Sequence, residues 1–282
     1  MTRVVWVELR RAWARRLVWF FLLASVGAVT AISLSLFATH EKAAPRTETA
    51  TASSPDGGSA VAVARDRRFR YTDIIRSDTR SAGVLDATSS VFLALAAVVG
   101  ASLAGAEYRY GSLTTLLTWE PRRIRVIVAK LVAAASVGAG LYLLLHAAIA
   151  LSLVPVATYR GTFRGADAAF ARDVAGFILR GAALSAGLAA LGVCLATLGR
   201  NTSAALGALF VYLIGVEEIL SARVPEWRRW FLVENIARFL TARHQPAIKL
   251  DRSLVATGSL LLAYLAGSAL VTAAVFRRRD VT

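Results

Sequence analysis

Few residues of this chain could do chemistry, and most of them stand at the edges of long apolar runs. Glu217 and Glu218 are adjacent, Arg223 follows them, and His146 lies deep inside a different run. Paired carboxylates, an arginine and a histidine are residue types that can hold a metal ion and activate water, the chemistry of a metal-dependent protease within the membrane. The spacing does not favour it. Neighbours on a helix point about 100° apart, so the two carboxylates need not converge. Arg223 falls one residue too far along for that pattern, and the three histidines, His40, His146 and His244, are widely separated. No Cys/His pair has zinc-ligand spacing, and neither GxxxxGK[ST] nor GxSxG occurs. The chain is read as not being an enzyme, with no cofactor expected. Glu217 and Glu218 are expected at the water-reachable end of a helix, and His146 is kept as a candidate for a translocation path. The one cysteine, Cys194, has no internal partner and reads as a small packing residue.

A second set of charges is denser. Residues 106–130 read AEYRYGSLTTLLTWEPRRIRVIVAK, with Glu107 at the end of one apolar run and Lys130 at the start of the next. Gly111 and Ser112 permit a turn. Leu113, Leu116, Leu117 and Trp119 form a short apolar group, and Pro121 suits a new helix start. Arg122, Arg123 and Arg125 come next. The expectation is a small amphipathic elbow with an exposed acidic end, a rigid break and a basic end, a shape suited to docking another protein.

The elements that must position these groups are set by the bilayer. The chain has 282 residues and is 56% hydrophobic, and about 20 consecutive apolar residues make a spanning helix. Six runs qualify: 17–38, 87–106, 126–157, 174–199, 202–222 and 253–276. Backbone groups in lipid must pair within their own segment, which makes these helices and the chain an all-α integral membrane protein with a single transmembrane domain over 1–282. The first run is longer than a signal-peptide core and reads as an uncleaved span. Six spans put both ends on one face. Segments on that face carry 14 basic residues against 18 on the other. However, they are about half as long and flank their helices with nearly unopposed arginine. N-in, C-in is therefore the expected topology, with 106–130 as a cytoplasmic elbow between the second and third spans.

The opening MTRVVWVELRRAWARR places Trp6, Leu9 and Trp13 on one helical face and Glu8, Arg11 and Arg15 on another, as for an interfacial helix. Residues 39–86 are expected as an external loop, with 43–60 mobile for want of bulky apolar groups and a short helix within 61–86. Residues 223–252 are read as an external aromatic segment. There Trp227, Trp230 and Phe231 rest at the interface after Pro225. Arg180 is expected to snorkel outward, and Gly199 and Asn201 to cap a tight reversal between spans four and five.

The elbow resembles the internal segment of permease subunits of ABC-2-type ABC transporters, which has the form Glu-x-x-x-Gly-(Ser/Thr)-Leu…Leu-Leu…Pro…Arg…Lys. Here those positions are Glu107, Gly111, Ser112, Leu113, Leu116, Leu117, Pro121, Arg123 and Lys130, and the ending Phe276-Arg277-Arg278-Arg279-Asp280-Val281 also looks like that family's terminus. The resemblance implies a permease subunit in the plasma membrane of a bacterial cell, an exporter, paired with a second copy or a related permease. ATP hydrolysis would reside in a separate ABC ATPase subunit engaged through Glu107, Gly111, Pro121, Arg122, Arg123 and Arg125. The partners expected are that ATPase, the second permease and the lipid bilayer, with no nucleic acid. The readings held against it are a stand-alone membrane carrier or scaffold, and an intramembrane metalloprotease using Glu217, Glu218 and His146. The long first external loop and the basic second half of the third depart from the family's pattern.

Overall fold

The computed structural model describes residues 2–39, 69–75, 83–242 and 252–278. The expected mobile stretch 43–60 lies outside the described residues. The chain is helical, with six helices long and apolar enough to cross a membrane. In order the α-helices among the described residues are α1 (Thr2–Trp13), α2 (Arg16–Thr39), α3 (Tyr71–Ile75), α4 (Val84–Arg109), α5 (Ser112–Trp119), α6 (Arg123–Arg160), α7 (Ala168–Gly199), α8 (Thr202–Phe210), α9 (Glu217–Arg223), α10 (Leu232–Thr241) and α11 (Leu254–Arg278). A π-helical stretch, Val211–Val216, joins α8 to α9, so the three together form one span. The only strands among the described residues are Phe69–Arg70 and Gly161–Thr162, a two-residue parallel pair.

Two helices make the centre. Of the most apolar stretches, 61% of α4 and 67% of α7 is buried, against 11% for α2 and 17% for both the α8–α9 span and α11. In an apolar solvent the hydrophobic effect gives little reason for helices to associate. Close backbone contact between small residues does it instead. Gly100 of α4 lies so near Ala189 of α7 that a Cβ there would fall 1.9 Å from the Ala189 carbonyl oxygen. A Cβ on Gly192 would stand 2.4 Å from the Ala97 oxygen. The helix α6 packs against both, with Tyr142, Ile149 and Leu153 buried beside Phe92 and Phe177. It is one continuous helix of 38 residues and carries Pro155 inside it.

The turn between α7 and α8 differs from expectation. Gly199 is still helical; Arg200 takes the left-handed conformation at φ 52°. Asn201 caps the next helix instead, its side chain accepting from the Ser203 and Ala204 amides at 2.7 and 3.3 Å. Asparagine's short carbonyl mimics the missing turn of backbone and satisfies two of the new helix's orphan donors. The aromatic segment after α9 forms a 3₁₀ turn, Pro225–Trp230, followed by α10. Trp227 and Trp230 are exposed, whereas Phe231, grouped with them in the sequence, is buried.

Gly100→Ala is expected to lower stability by about 1–3 kcal/mol, the usual cost of overpacking a tight interface. Gly207→Ala, where a Cβ meets nothing within 4 Å, should be neutral or slightly stabilising. Unfolding midpoints of the two variants in detergent or nanodiscs check this. Equal midpoints would show that α4 and α7 do not rely on backbone contact.

Candidate functional site: a buried ion cluster beneath an exposed elbow

The end of α4, the start of α6 and α1 meet at four charged side chains. The Lys130 ammonium donates to Glu107 Oε1 at 2.5 Å and to Glu8 Oε1 at 3.3 Å. All three residues are buried. The second Glu107 oxygen has no hydrogen-bond partner among the described residues. Arg15, from the link between α1 and α2, donates to the carbonyls of Ser102 and Leu103 in α4 at 2.8 and 3.1 Å. Burial pulls its pKa down, while the Glu107 and Glu8 carboxylates push it up. The guanidinium remains a cation at neutral pH. Two acids and two bases therefore offset one another out of water, the condition on which buried charge is tolerated. Periodicity along one helix does not reveal this set, because Glu8 and Lys130 are 122 residues apart. Their only sequence signal is an acid and a lysine at the edges of apolar runs.

This changes the role of Glu107. The sequence expectation of an exposed acidic end does not hold: Glu107 is 9% exposed and turned onto Lys130. The surface of the elbow is built instead from residues 110–125. Gly111 adopts φ 66°, which suits glycine, and reverses the chain between α4 and α5. Glu120 is extended at φ −128°, ψ 92°, as a residue before proline prefers. Pro121 and Arg122 are exposed, while Arg123 and Arg125 are half-buried. The Arg123 guanidinium donates to the Phe276 carbonyl at 3.3 Å, fastening the start of α6 to the end of α11. Leu113 is driven between Ile127 and Phe276, with Leu116 and Leu117 packed around them. Trp119 does not join this apolar group: it is 85% exposed, and Tyr110 is 76% exposed. The elbow is thus a short helix pinned on one side by leucine, with aromatic and basic side chains on the other.

His146 is brought into a different, closed cluster. Its ring stacks on Tyr142 at 3.9 Å, Nδ1 faces the Tyr142 carbonyl at 3.0 Å, and Nε2 meets Ser89 Oγ at 3.1 Å. Phe92 and Phe177 close the sides. His146 is fully buried. Its partners Ser89 and Tyr142 carry no distinguishing sequence signal, since lone polar residues in spans look alike.

Glu217 and Glu218 separate in role. Glu218 is exposed, as expected of both, but Glu217 is buried. Its two oxygens accept from the Leu232 and Val233 amides at 2.6 and 2.9 Å, which caps α10. Arg180 does not simply snorkel: it donates to the Leu240 carbonyl at 3.1 Å near the other end of α10. An acid at the N-terminus and a base at the C-terminus match the helix dipole. Glu217 and His146 are therefore each engaged separately, and among the described residues no group of three or more His, Cys, Asp or Glu is placed to hold a metal ion. Cys194 is buried, as expected. Comparison with protein-family models and with curated proteins finds no match.

Removing the cation of the cluster is the sharper test of its energetics. Lys130→Met leaves Glu8 and Glu107 buried without their partner and is expected to cost about 3–5 kcal/mol. Adding Glu107→Gln to Lys130→Met should restore part of that stability. A double-mutant cycle on unfolding midpoints reads the coupling, and simple additivity of the two losses would show that the contact is not energetically real.

Proposed function

We propose that the chain is the membrane-spanning permease subunit of an ATP-driven ABC transporter of the ABC-2 type, working as an exporter in a bacterial plasma membrane. The observation that carries this reading is the elbow: a short helix held rigidly between two spans, with Trp119, Tyr110, Pro121 and Arg122 presented outward. The order of six apolar helices, preceded by the separate helix α1, supports it. So does the resemblance of residues 107–130 to the coupling segment of such permeases.

In this reading both termini and the elbow face the cytoplasm, and a separate ATPase subunit grips α5 and the residues around Pro121. Nucleotide-driven closure of that ATPase does work on the membrane part only through contacts that differ between its states. The elbow can pass such a displacement on because it is not a free loop. Leu113 ties it to α6 and α11, and Glu107 ties the end of α4 to Lys130 of α6 and, through Lys130, to Glu8 of α1. Glu107 and Lys130 are positioning residues here, and the docking surface is aromatic and basic. A second permease copy would complete the translocation path, for which the exposed apolar faces of α2, the α8–α9 span and α11 leave room.

Two experiments test this. In the assembled complex, Trp119→Ala is expected to weaken engagement of the ATPase by roughly tenfold or more, the effect of losing an interface tryptophan. It should lower substrate-stimulated ATP hydrolysis accordingly, whereas Trp227→Ala at the opposite end should not. Unchanged coupling in the Trp119 variant, with normal assembly, would remove the docking assignment. For topology, a Ser112→Cys variant should resist a membrane-impermeant thiol reagent applied to intact cells and react after permeabilisation. The native Cys194 is buried and gives little background. Labelling from outside would invert the whole arrangement.

A further inference from the structure

The cluster around Lys130 has a consequence for the opposite face of α1. Glu8 is the one acid of this helix, and it is turned inward, 7% exposed, onto Lys130. Arg11 leans toward it at 3.8 Å. Besides Arg11, the exposed residues of α1 are Arg3, Trp6, Val7 and Arg10, at intervals of three, one and three. That spacing makes a single ridge along a helix. Trp6 is 65% exposed and Val7 45%. The two arginines stand seven residues apart, about 10 Å along the helix at 1.5 Å per residue, with the indole and the valine between them. The ridge carries one sign of charge, because the one acid of the helix lies on the opposite face.

The place of the ridge limits its occupant. The helix α1 leads at Arg16 directly into α2, which is apolar enough to cross a bilayer, so α1 is held near the bilayer surface. An apolar centre flanked by guanidinium groups suits the boundary between headgroups and acyl chains. The indole and valine enter the apolar side, and the guanidinium forks meet phosphate oxygens. We infer that the ridge Arg3–Trp6–Val7–Arg10 is a binding site for the headgroup of an anionic phospholipid, preferred over a zwitterionic one whose ammonium the arginines repel. This does not depend on the transport reading, since it concerns the chain alone in lipid.

The test uses the full chain in detergent, titrated separately with phosphatidylglycerol and phosphatidylcholine of equal chain length and followed by native mass spectrometry. The wild-type chain is expected to bind phosphatidylglycerol more tightly. Arg3→Gln with Arg10→Gln should lower that affinity by roughly fivefold per arginine, the weight of one basic residue at an anionic surface. Arg3→Lys with Arg10→Lys keeps the charge and should keep the preference. Arg164→Gln with Arg172→Gln, which removes the same charge from exposed positions near the start of α7, should change nothing. Equal binding of the two lipids by the wild-type chain, or an equal loss from the Arg164/Arg172 pair, overturns the proposal.

Discussion

A lysine ammonium withdrawn from water must find carboxylate, and the fold meets this demand at Lys130 by drawing three segments to one point. Glu107 comes from the end of α4, Glu8 from α1, and Lys130 itself from the first turns of α6. Because an uncompensated buried charge is so costly, none of the three can leave alone. That fixes where α1 lies, which way Glu107 points and how α5 is presented.

Away from this cluster the molecule is held by shape. The helices α4 and α7 touch backbone to backbone at Gly100 and Gly192, and α6 closes over them with Tyr142 and its aliphatic neighbours. The peripheral helices α2 and α11 and the α8–α9 span keep wide apolar surfaces, as lipid or another apolar helix requires. At the end opposite the elbow, charge is used as a fastener again. Glu217 and Arg180 hold the two ends of α10 by its unpaired amides and carbonyls. Glu217, a residue whose type suggests catalysis, is here engaged with backbone amides.

Much of this is legible in the residues. Six apolar runs of spanning length correspond to six helices, and Gly111 before Ser112 and Pro121 after Trp119 bracket the elbow helix correctly. Lengths and breaks are readable because they depend on hydrogen bonding within a segment and on local φ preferences. Exposure is harder to read. Glu107, expected outside, is inside; Trp119, grouped with the leucines, stands out in solvent; Phe231, placed with the exposed tryptophans, is buried. At the α7–α8 turn the left-handed position falls on Arg200 and not on the glycine beside it.

What the sequence alone determined is therefore the set of helices, their order and the place of the elbow, because each follows from the solvent preference and backbone limits of a contiguous stretch. Tertiary structure alone decided which charges are internal. Glu8, Glu107 and Lys130 are separated by up to 122 residues, and the energy of a carboxylate depends on which cation stands beside it, a fact no single stretch of chain contains.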